Sequence, residues 1–516
     1  MAAPKFELPA RGKISPVELQ KKLPKNADAL VVGVFRTQDS ANENSVKILD
    51  TDWLSGGQLR EVVEGLQIVK ATGKANEITR LPAPKKLGID VVIAVGLGAQ
   101  DKLDDEVLRR AAGTVSRAVK DLNSVAVALS GDRDRLAAIV EGLILGGYAY
   151  PGIRGSKDEG VTQPDEKKNR ADKDPAEFTV LGDPKKDSDI FRLAQVGAES
   201  VCLARDFVNV PSSHKFPESY AEFIRGFAED AGLKVEILDE KQLEKEGFGG
   251  ILAVGQGSVR PPRLVRLHHS PRKAKKKVAL VGKGITFDTG GISLKPGAGM
   301  GEMIMDMGGS AAVVAATVAA AKLDLNVELT TTVPLAENMP SGNAIRPGDV
   351  ITHYGGITSE ILNTDAEGRI VLADAIARAS EDKPDYLVET ATLTGHQMLA
   401  LGKKTYGVMG SDELRDRIAE LGRRVGEKAW AMALLEEHEE AIKTPAADIR
   451  NISEDRWGGM QFAGTYLSQF VGEGIEWAHL DIAGPAWAAS ASGYTAQRAT
   501  GVPVRTLVAW LDEIAS

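Results

Sequence analysis

Two carboxylates and a guanidinium fall within one heptapeptide, residues 363–369 (NTDAEGR). Asp365 and Glu367 are two positions apart, and in an extended chain that spacing places both side chains on one side. Arg369 would share that side if the extended conformation continued. Two acids and one base that converge could hold a divalent cation and bind an anion. The alternative is a solvated turn with an N-capping aspartate ahead of the helix that residues 370–376 predict.

A second charged stretch, residues 283–296 (KGITFDTGGISLKP), follows a predicted strand. We expect its glycine-rich run at the carboxyl edge of a sheet, where open α/β folds place their sites. Lys283, Asp288 and Lys295 stand among apolar residues there, and Asp306 follows between two methionines. Burying an unpaired carboxylate is costly, so Asp306 needs a partner.

Two interpretations of these charges remain open. A structural salt bridge, for example between Lys283 and Asp306, would explain them without any ligand. Alternatively, four acids surround two divalent cations: Asp288, Asp306, Asp365 and Glu367. Four carboxylates in one pocket need a compensating charge of about +4, which two divalent metals supply. Oxygen-rich sites suit Mg²⁺ or Mn²⁺, and Zn²⁺ also accepts carboxylates, especially beside a nitrogen ligand.

Length and composition exclude several classes of protein. The chain has 516 residues, 43% hydrophobic and 26% charged, which is typical of a globular protein with two to four domains. Its net charge of −9 disfavours a nucleic-acid binder dominated by charge. The single cysteine, Cys202, allows no intramolecular disulfide and no cysteine-based metal site. Without an apolar signal segment or a run of about 18 apolar residues, we expect a cytoplasmic protein with no membrane span.

Strands that alternate with helices predict an N-terminal βαβ domain with a largely parallel sheet. Apolar runs predict strands at 29–35, 90–95, 125–129 and 178–181, and amphipathic patterns predict helices at 57–65, 104–122 and 133–148. Residues 1–26 are rich in Pro and Lys and are expected to form a loose arm. Residues 154–175 are charged and are expected to form an exposed loop. Residues 96–98 (GLG) lack the third glycine of a dinucleotide fingerprint, so we expect no nucleotide site there.

A second domain follows, and we place the boundary between residues 185 and 186. This gives an N-terminal α/β domain at 1–185 and a C-terminal domain at 186–516. Strands are predicted at 234–238, 264–268, 278–281, 327–334 and 385–389, and helices at 188–208, 217–231, 242–247 and 309–322. The last of these helices (GSAAVVAATVAAAK) consists mainly of small residues, so it can pack closely on a sheet.

Three segments together resemble the leucyl aminopeptidase family, the hexameric di-metal enzymes also called cytosol aminopeptidases. They are residues 281–291 (VGKGITFDTGG), 305–309 (MDMGG) and 363–369 (NTDAEGR), the last of which is similar to the signature of that family. Further similarity begins at about residue 190 and includes 205–211 (RDFVNVP), 247–258 (GFGGILAVGQGS) and 480–485 (LDIAGP). The chain departs from the family at 430–435 (WAMALL), where prolines are expected, and at Ile304, where lysine is frequent.

The resemblance implies a role for each matching residue. It implies that one metal is held by Lys283, Asp288, Asp306 and Glu367, and the other by Asp288, Asp365 and Glu367. The two divalent ions per subunit would be Mn or Zn, with Mg as a further candidate, and Lys283 would be neutral when they are bound. Lys295 would polarise the developing oxyanion, and Arg369 would hold a bicarbonate ion that acts as general base. The pocket for the first side chain would comprise Met303, Asn363, Thr392, Gly395 and Ala483.

The function implied by the resemblance is a metal-dependent aminopeptidase that removes the N-terminal residue of peptides, with leucine and similar residues preferred. A metal-bridging water would attack the first peptide bond, and the free α-amine of the peptide would bind one metal. The implied fold combines a macro-type N-terminal α/β domain with a C-terminal catalytic domain that has a mixed sheet between helices. The implied assembly is a homohexamer.

Two alternatives remain open. A dipeptidase that acts on cysteinylglycine or similar small peptides would use the same site. A DNA-binding protein is the other alternative, since some relatives in this family bind DNA and residues 272–277 (RKAKKK) form a basic run. A solvated hairpin turn explains that run more simply, and the acidic balance of the chain also disfavours DNA binding.

Overall fold

The N-terminal part of the chain folds largely as its alternating strands and helices predict. The computed structural model describes residues 7–37, 46–49, 51–129, 133–154 and 174–516. Contacts divide the chain into two units, one of Arg11–Cys202 with Ala489–Gln497 and the other mainly of Leu203–Ala488 and Arg498–Ser516. The predicted loop at 154–175 lies almost wholly outside the described residues. The predicted boundary between residues 185 and 186 stays a prediction.

The N-terminal unit contains one mixed, largely parallel sheet with helices. Its strands are β1 Val17–Gln20, β2 Ala29–Arg36, β3 Val46–Ile48, β4 Ile78–Pro82, β5 Val91–Ala99, β6 Ser124–Ala128 and β7 Glu177–Leu181. Its helices are α1 Gly56–Ile68, α2 Asp105–Ala118 and α3 Arg133–Gly147, and α4 Pro184–Asn209 follows. Within the described residues the strand order is β1-β7-β6-β2-β5-β4, with β3 beside β2. Only β3 and β4 run antiparallel to their neighbours, which confirms the predicted α/β class.

The helices of this unit begin where capping side chains satisfy the first backbone amides. Ser55 caps α1, since its hydroxyl accepts from Gln58 N at 3.4 Å while its own amide donates to the Gln58 side chain at 2.9 Å. Asp104 caps α2 by accepting from Val107 N at 2.8 Å. Beneath the helices, β2 is almost wholly buried, as expected for a central strand.

The prediction of a loose arm at residues 1–26 is wrong for Val17–Gln20. These residues form β1, which pairs in parallel with β7 in the register Val17 to Phe178. Val17 is buried, Glu18 is exposed, and Leu19 and Gln20 are half-buried in this edge strand. The surrounding prolines and lysines obscured this short pattern.

The C-terminal unit contains a second, larger mixed sheet. Its strands are β8 Lys234–Leu238, β9 Arg263–His269, β10 Lys277–Gly282, β11 Gly284–Asp288, β12 Glu328–Asn338, β15 Tyr386–Ala391, β16 Tyr406–Gly410, β17 Ala429–Ala431 and β19 Glu476–Asp481. The order is β17-β16-β19-β15-β10-β12-β9-β8, with β11 beside β12. Strands β12, β10, β15 and β19 are mutually parallel, whereas β8, β9 and β16 pair antiparallel. This confirms the predicted mixed sheet.

Shorter strands and ten helices complete the described part of this unit. The remaining strands are β13 Asp349–Thr352, β14 Thr358–Ile361, β18 Ile449–Arg450, β20 Trp487–Ala488 and β21 Arg498–Ala499. The helices are α5 Pro217–Asp230, α6 Glu240–Glu246, α7 Gly249–Gly255, α8 Gly308–Leu323, α9 Glu367–Ser380, α10 Gly395–Leu401, α11 Asp412–Arg424, α12 Glu437–Ala441, α13 Gly459–Ser468 and α14 Val504–Ala515. A 3₁₀ helix, Met300–Met305, precedes α8.

Helix α8 is almost wholly buried. All its residues from Gly308 to Ala320 are buried, because small side chains on every face let it lie close against the sheet. By length and composition alone, the stretch Met300–Leu323 could cross a membrane. However, 83% of its most apolar run of 18 residues is buried inside the protein. That burial is typical of a core helix.

Candidate metal centre

Four acidic side chains from three segments meet beside the ends of the central strands. Asp288 ends β11, Asp306 follows the 3₁₀ helix, and Glu367 is the first residue of α9. One carboxylate oxygen each from Asp288, Asp365 and Glu367 lie within 4.8 Å of one another. Asp306 joins them through Lys283, whose amine contacts both Asp306 and Glu367. We call Asp288, Asp306, Asp365 and Glu367 the acidic cluster.

The heptapeptide that carries two of these acids is a turn followed by the start of α9, so the extended conformation under which the two-residue spacing would align its charges is not present. The Asn363 side chain accepts a hydrogen bond from Asp365 N at 2.8 Å, which closes the turn. Glu367 then begins α9, and Thr364 is held by donating to Gly290 O at 2.7 Å. Thr364 and Glu367 are 0% and 1% exposed, so the alternative of a solvated turn is wrong.

Two glycines allow the backbone to approach this cluster closely. Gly290 has φ of +87°, and a Cβ there would lie 2.9 Å from a carboxylate oxygen of Asp365. Gly368 lies against the second charged stretch, since its Cβ would be 2.7 Å from Lys283 Nζ. A side chain at either position would therefore displace a charged residue of the site.

Lys283 is buried among the acids. Its amine lies 2.9 Å from Asp306 Oδ2 and 2.8 Å from Glu367 Oε1, and it donates to Thr392 O at 3.0 Å. The Lys283–Asp306 salt bridge that the purely structural interpretation predicted is thus present, but the amine also forms an ion pair with Glu367. Burial by itself would lower the pKa of Lys283, yet Asp306, Glu367 and Asp288 together raise it above its ordinary value.

Lys295 reaches the other side of the cluster from a more open position. Its amine lies 2.7 Å from Asp288 Oδ2 and also forms an ion pair with Asp365. The Lys295 side chain is 21% exposed, whereas that of Lys283 is 4% exposed. Burial opposes the charge on Lys295, but the carboxylates, Asp288 first, raise its pKa above the ordinary value. The two lysines therefore occupy different environments within one site.

The acidic cluster carries more negative charge than its lysines balance. The four carboxylates would carry −4 and the two lysines +2, which leaves −2. Burial raises the pKa of Asp306 well above its ordinary value in spite of Lys283. Burial raises the pKa of Asp288 too, with the Glu367 carboxylate adding to it, and burial likewise raises that of Asp365. Bound cations would relieve this excess, so the donor set fits divalent metals.

Arg369 lies just behind the cluster on α9. The residue is 7% exposed, and it donates from Nη1 to Asn451 O at 2.6 Å. Within the described part of the chain its buried Nε has no hydrogen-bond partner. Burial lowers the pKa of Arg369 to about 10, against the opposing effects of Tyr466 and Glu367, so it stays charged at neutral pH. A buried cation with an unused donor fits an anionic ligand.

Three of the five predicted pocket residues are hydrogen-bonded to residues of the acidic cluster. Thr392 donates from its hydroxyl to Asp306 Oδ1 at 2.7 Å. Met303 O accepts from Asp306 N at 3.2 Å, and the Asn363 side chain holds the Asp365 amide.

The two remaining pocket residues lie on adjacent segments. Gly395 begins α10, three residues after Thr392, and is exposed. Ala483 is 8% exposed and follows β19, which is the parallel neighbour of β15. Both therefore lie at the carboxyl edge of the same strands as the cluster.

Two asparagines that organise the site were not predicted from the sequence. Asn338 donates to Asp288 Oδ1 at 2.8 Å and to Thr364 O at 3.1 Å, so it joins the two charged stretches. Its position at the end of β12, a central parallel strand, was a usable signal. Asn451 accepts at its side chain from Leu362 N at 2.8 Å and follows the two-residue strand β18, which gives no sequence signal.

Comparisons with known proteins agree with this architecture. The profile of the "Cytosol aminopeptidase family, catalytic domain" matches residues 202–508, and that of the "Cytosol aminopeptidase family, N-terminal domain" matches residues 31–157. A "Probable cytosol aminopeptidase" of Corynebacterium diphtheriae is 57% identical over 512 residues, 99% of each chain. One of Mycobacterium tuberculosis is 47% identical over 520 residues, 98% of each chain.

A solved structure is similar over nearly the whole chain. The bottromycin maturation enzyme BotP in complex with Mn is 33% identical with a TM-score of 0.80, and the match covers 95% of this chain and 100% of that one. The profile matches and the full-length relatives agree with the resemblance of the charged stretches. The chain therefore belongs to the cytosol aminopeptidase family and is a hydrolase that acts on the N-terminal ends of peptides.

Proposed function

We propose that this aminopeptidase depends on two divalent metal ions and prefers peptides that begin with leucine or a similar residue. The observation that carries the proposal is the buried acidic cluster, in which oxygens of Asp288, Asp365 and Glu367 lie within 4.8 Å of one another. The family is metal-dependent, and the similar BotP structure was solved with Mn, which supports the same dependence here.

The ligands proposed for the metals follow the geometry of the charged groups. Lys283, Asp288, Asp306 and Glu367 would hold one ion, and Asp288, Asp365 and Glu367 the other. Glu367 Oε2 is buried and, among the described residues, has no hydrogen-bond partner, so it is free to bind a cation. The ions, Mn²⁺ or Zn²⁺ with Mg²⁺ as a further candidate, would supply a water of lowered pKa and polarise the peptide carbonyl.

The charged side chains of the chain itself would divide the remaining work. Lys295, on its more open loop, would donate a hydrogen bond to the oxyanion that develops on the peptide carbonyl. Arg369 would hold a bicarbonate ion through its unused donor, and this anion would supply a general base to the site. Thr392, Met303, Asn363, Gly395 and Ala483 would surround the first side chain of the peptide.

A free N-terminus should be essential for hydrolysis. The acidic cluster attracts a cationic or metal-binding α-amine, and an acetyl group removes both properties. We therefore expect a peptide with N-terminal leucine to be cleaved at its first bond. The kcat/KM of its N-acetylated form should be lower by at least about 10³-fold. Mass spectrometry of the products measures both. Cleavage of the acetylated peptide, or cleavage at an internal bond, would contradict the proposal.

The dipeptidase alternative can be separated in the same experiment. Cysteinylglycine and leucylglycine serve as dipeptide probes beside a leucyl pentapeptide. Hydrolysis of dipeptides alone would favour the alternative.

The DNA-binding alternative gains no support, because in the basic run Lys276 and Lys277 lie 3.9 and 3.6 Å from Asp385 and Glu328.

We further propose that the protein is cytoplasmic and assembles as a homohexamer, as in the family that the chain belongs to. Light scattering at micromolar concentration should give about six times the mass of one chain, 54.9 kDa. A dilution series shows whether the assembly persists. A species of monomer mass across that series would refute the proposed hexamer.

A further inference from the structure

Two neighbouring segments carry three of the proposed pocket residues. The first pocket segment, residues 392–397, follows β15 and contains Thr392 and Gly395. The second pocket segment, residues 481–484, begins at the last residue of β19 and contains Ala483. Because β15 and β19 are parallel neighbours, their carboxyl ends lie side by side. The distance between the two segments therefore sets the space between these pocket residues.

Asp481, in the second segment, reaches into the first. Its side chain is 0% exposed. Asp481 Oδ1 accepts hydrogen bonds from Leu393 N at 3.2 Å and Thr394 N at 3.4 Å, and Oδ2 accepts from the Thr394 hydroxyl at 2.7 Å. Oδ1 also accepts from Ala483 N at 3.2 Å. One buried carboxylate thus fixes backbone amides on both pocket segments.

Gln397, in the first segment, reaches back into the second. It is 0% exposed, and its Oε1 accepts from Gly484 N at 2.6 Å. Its Nε2 donates to Thr405 O at 2.6 Å and to Gly402 O at 3.3 Å. Gly484 is closely packed here, because a Cβ on it would lie 2.6 Å from Gly402 O. A shift of either segment would break hydrogen bonds to side chains that are 0% exposed and so leave buried polar groups unsatisfied.

Both residues are also connected to the chemistry of the site. Thr394, which Asp481 holds, accepts at its hydroxyl from Gln397 N at 3.1 Å and so starts α10. Thr392, two residues earlier, donates to Asp306 and accepts from Lys283. The network therefore extends from the acidic cluster through the first pocket segment to Gly484.

We propose that Asp481 and Gln397 are positioning residues that set the width of the pocket for the first side chain and so determine which N-terminal residue is preferred. This inference rests on the proposed aminopeptidase function. Asp481 reaches from the second pocket segment into the first, and Gln397 reaches from the first into the second. Together they hold the two segments at a fixed separation. Neither side chain needs to touch the peptide.

The first test is the variant Gln397→Met, which keeps a long buried side chain but removes all three hydrogen bonds. Gly484 N and the carbonyls of Gly402 and Thr405 then lose their partner, and the second pocket segment can move. We expect KM for a leucyl substrate to rise about tenfold, with a much smaller rise for an alanyl substrate that fills less of the pocket. The leucine-to-alanine ratio of kcat/KM should fall accordingly, while metal content by elemental analysis stays the same.

Asp481 supplies a matched pair of variants. Asp481→Asn keeps the shape of the side chain and can keep all four contacts. The asparagine oxygen can accept from the three backbone amides, and its NH₂ group can donate to the Thr394 hydroxyl, which now donates to the carboxylate. Asp481→Ala removes every contact. We expect the asparagine variant to retain the leucine-to-alanine ratio of the parent and the alanine variant to lose it. A thermal melt of each variant identifies any that fails to fold.

A control variant separates pocket width from general loss of stability. Gln469→Met removes a half-buried glutamine whose amide donates to Thr465 O at 3.3 Å at the end of α13. It should leave the ratio unchanged. If the parent enzyme cleaves neither substrate, the proposed function itself fails. If the parent is active and folded Gln397→Met keeps its leucine-to-alanine ratio, or loses activity equally on both substrates, the positioning role is overturned.

Discussion

Replacement of Lys295 by alanine should lower kcat by roughly 10²–10³ while leaving the metal content unchanged, the effect of removing one donor to an oxyanion. Lys295 is the more accessible of the two lysines, with 21% of its side chain exposed. Its backbone amide is fixed by Thr289 O at 2.9 Å, so the amine extends from a held loop towards the cluster. That placement suits a donor to substrate.

Lys283 should behave differently when replaced by alanine. Its amine is enclosed by Asp306, Glu367 and Thr392 O, and its side chain is 4% exposed, which leaves no path for a substrate carbonyl. Loss of a ligand weakens a metal site, so we expect about one ion per chain and activity that falls with it. Elemental analysis of both purified variants, with kcat and KM beside it, distinguishes the roles.

The matched control for both variants is Lys428→Ala, which removes an exposed lysine far along the chain from either charged stretch. It should keep two ions per chain and the parent kcat. The assignment of roles is reversed if Lys295→Ala loses a metal while Lys283→Ala keeps both. It is refuted if neither variant changes metal content or kcat.

Local sequence patterns predicted most of the elements that position the site. The strand β8 was predicted with the bounds that the structure gives, Lys234–Leu238, because its apolar period is clear and turns flank it. The small-residue helix α8 was predicted to within one residue at each end. Helix α7, Gly249–Gly255, was not assigned, since a short apolar run does not distinguish helix from strand.

The conformation of the acidic heptapeptide depends on distant residues, and this is why its local pattern misled. Ser293 N donates to the Thr364 hydroxyl at 2.8 Å, across 71 positions of the chain. Asn451 Nδ2 donates to Asn363 O at 2.7 Å, across 88 positions. These contacts hold a turn, so the one-sided placement of the charges that an extended chain would give does not apply. The residue types that carry charge were visible in the sequence, but the partners that orient them were not.

The residues proposed to position the pocket also depend on contacts between distant parts of the chain. Gln397 and Gly484 are 87 positions apart, and no periodicity relates them. A buried glutamine with all its polar atoms bonded becomes recognisable only when the strands that bring the segments together are known. The charged residues of the proposed site can therefore be recognised from type and spacing, whereas the residues proposed to position the pocket require the fold.

Prolonged chelation should abolish hydrolysis of a leucyl peptide, and Mn²⁺ or Zn²⁺ should restore it. The physical reason is the charge of the acidic cluster, because four ionised carboxylates and two charged lysines leave a net charge of −2. Without cations, the carboxylates would repel one another in a buried site, and the proposed source of an activated water would be lost. We expect residual activity below about one thousandth of the parent, since the proposed metals would supply the activated water and the Lewis acid together.

Thermal unfolding gives a measurement that does not depend on activity. Metal that binds the folded protein alone raises its free energy of unfolding by about 2.7 kcal/mol when free metal is 100 times Kd. The melting temperature of the chelated protein should therefore rise on addition of Mn²⁺. Glu367→Gln should reduce that rise, because it removes a carboxylate proposed to contact both ions. Full activity in protein that elemental analysis shows to be free of metal would refute the metal dependence, whatever the melting temperature.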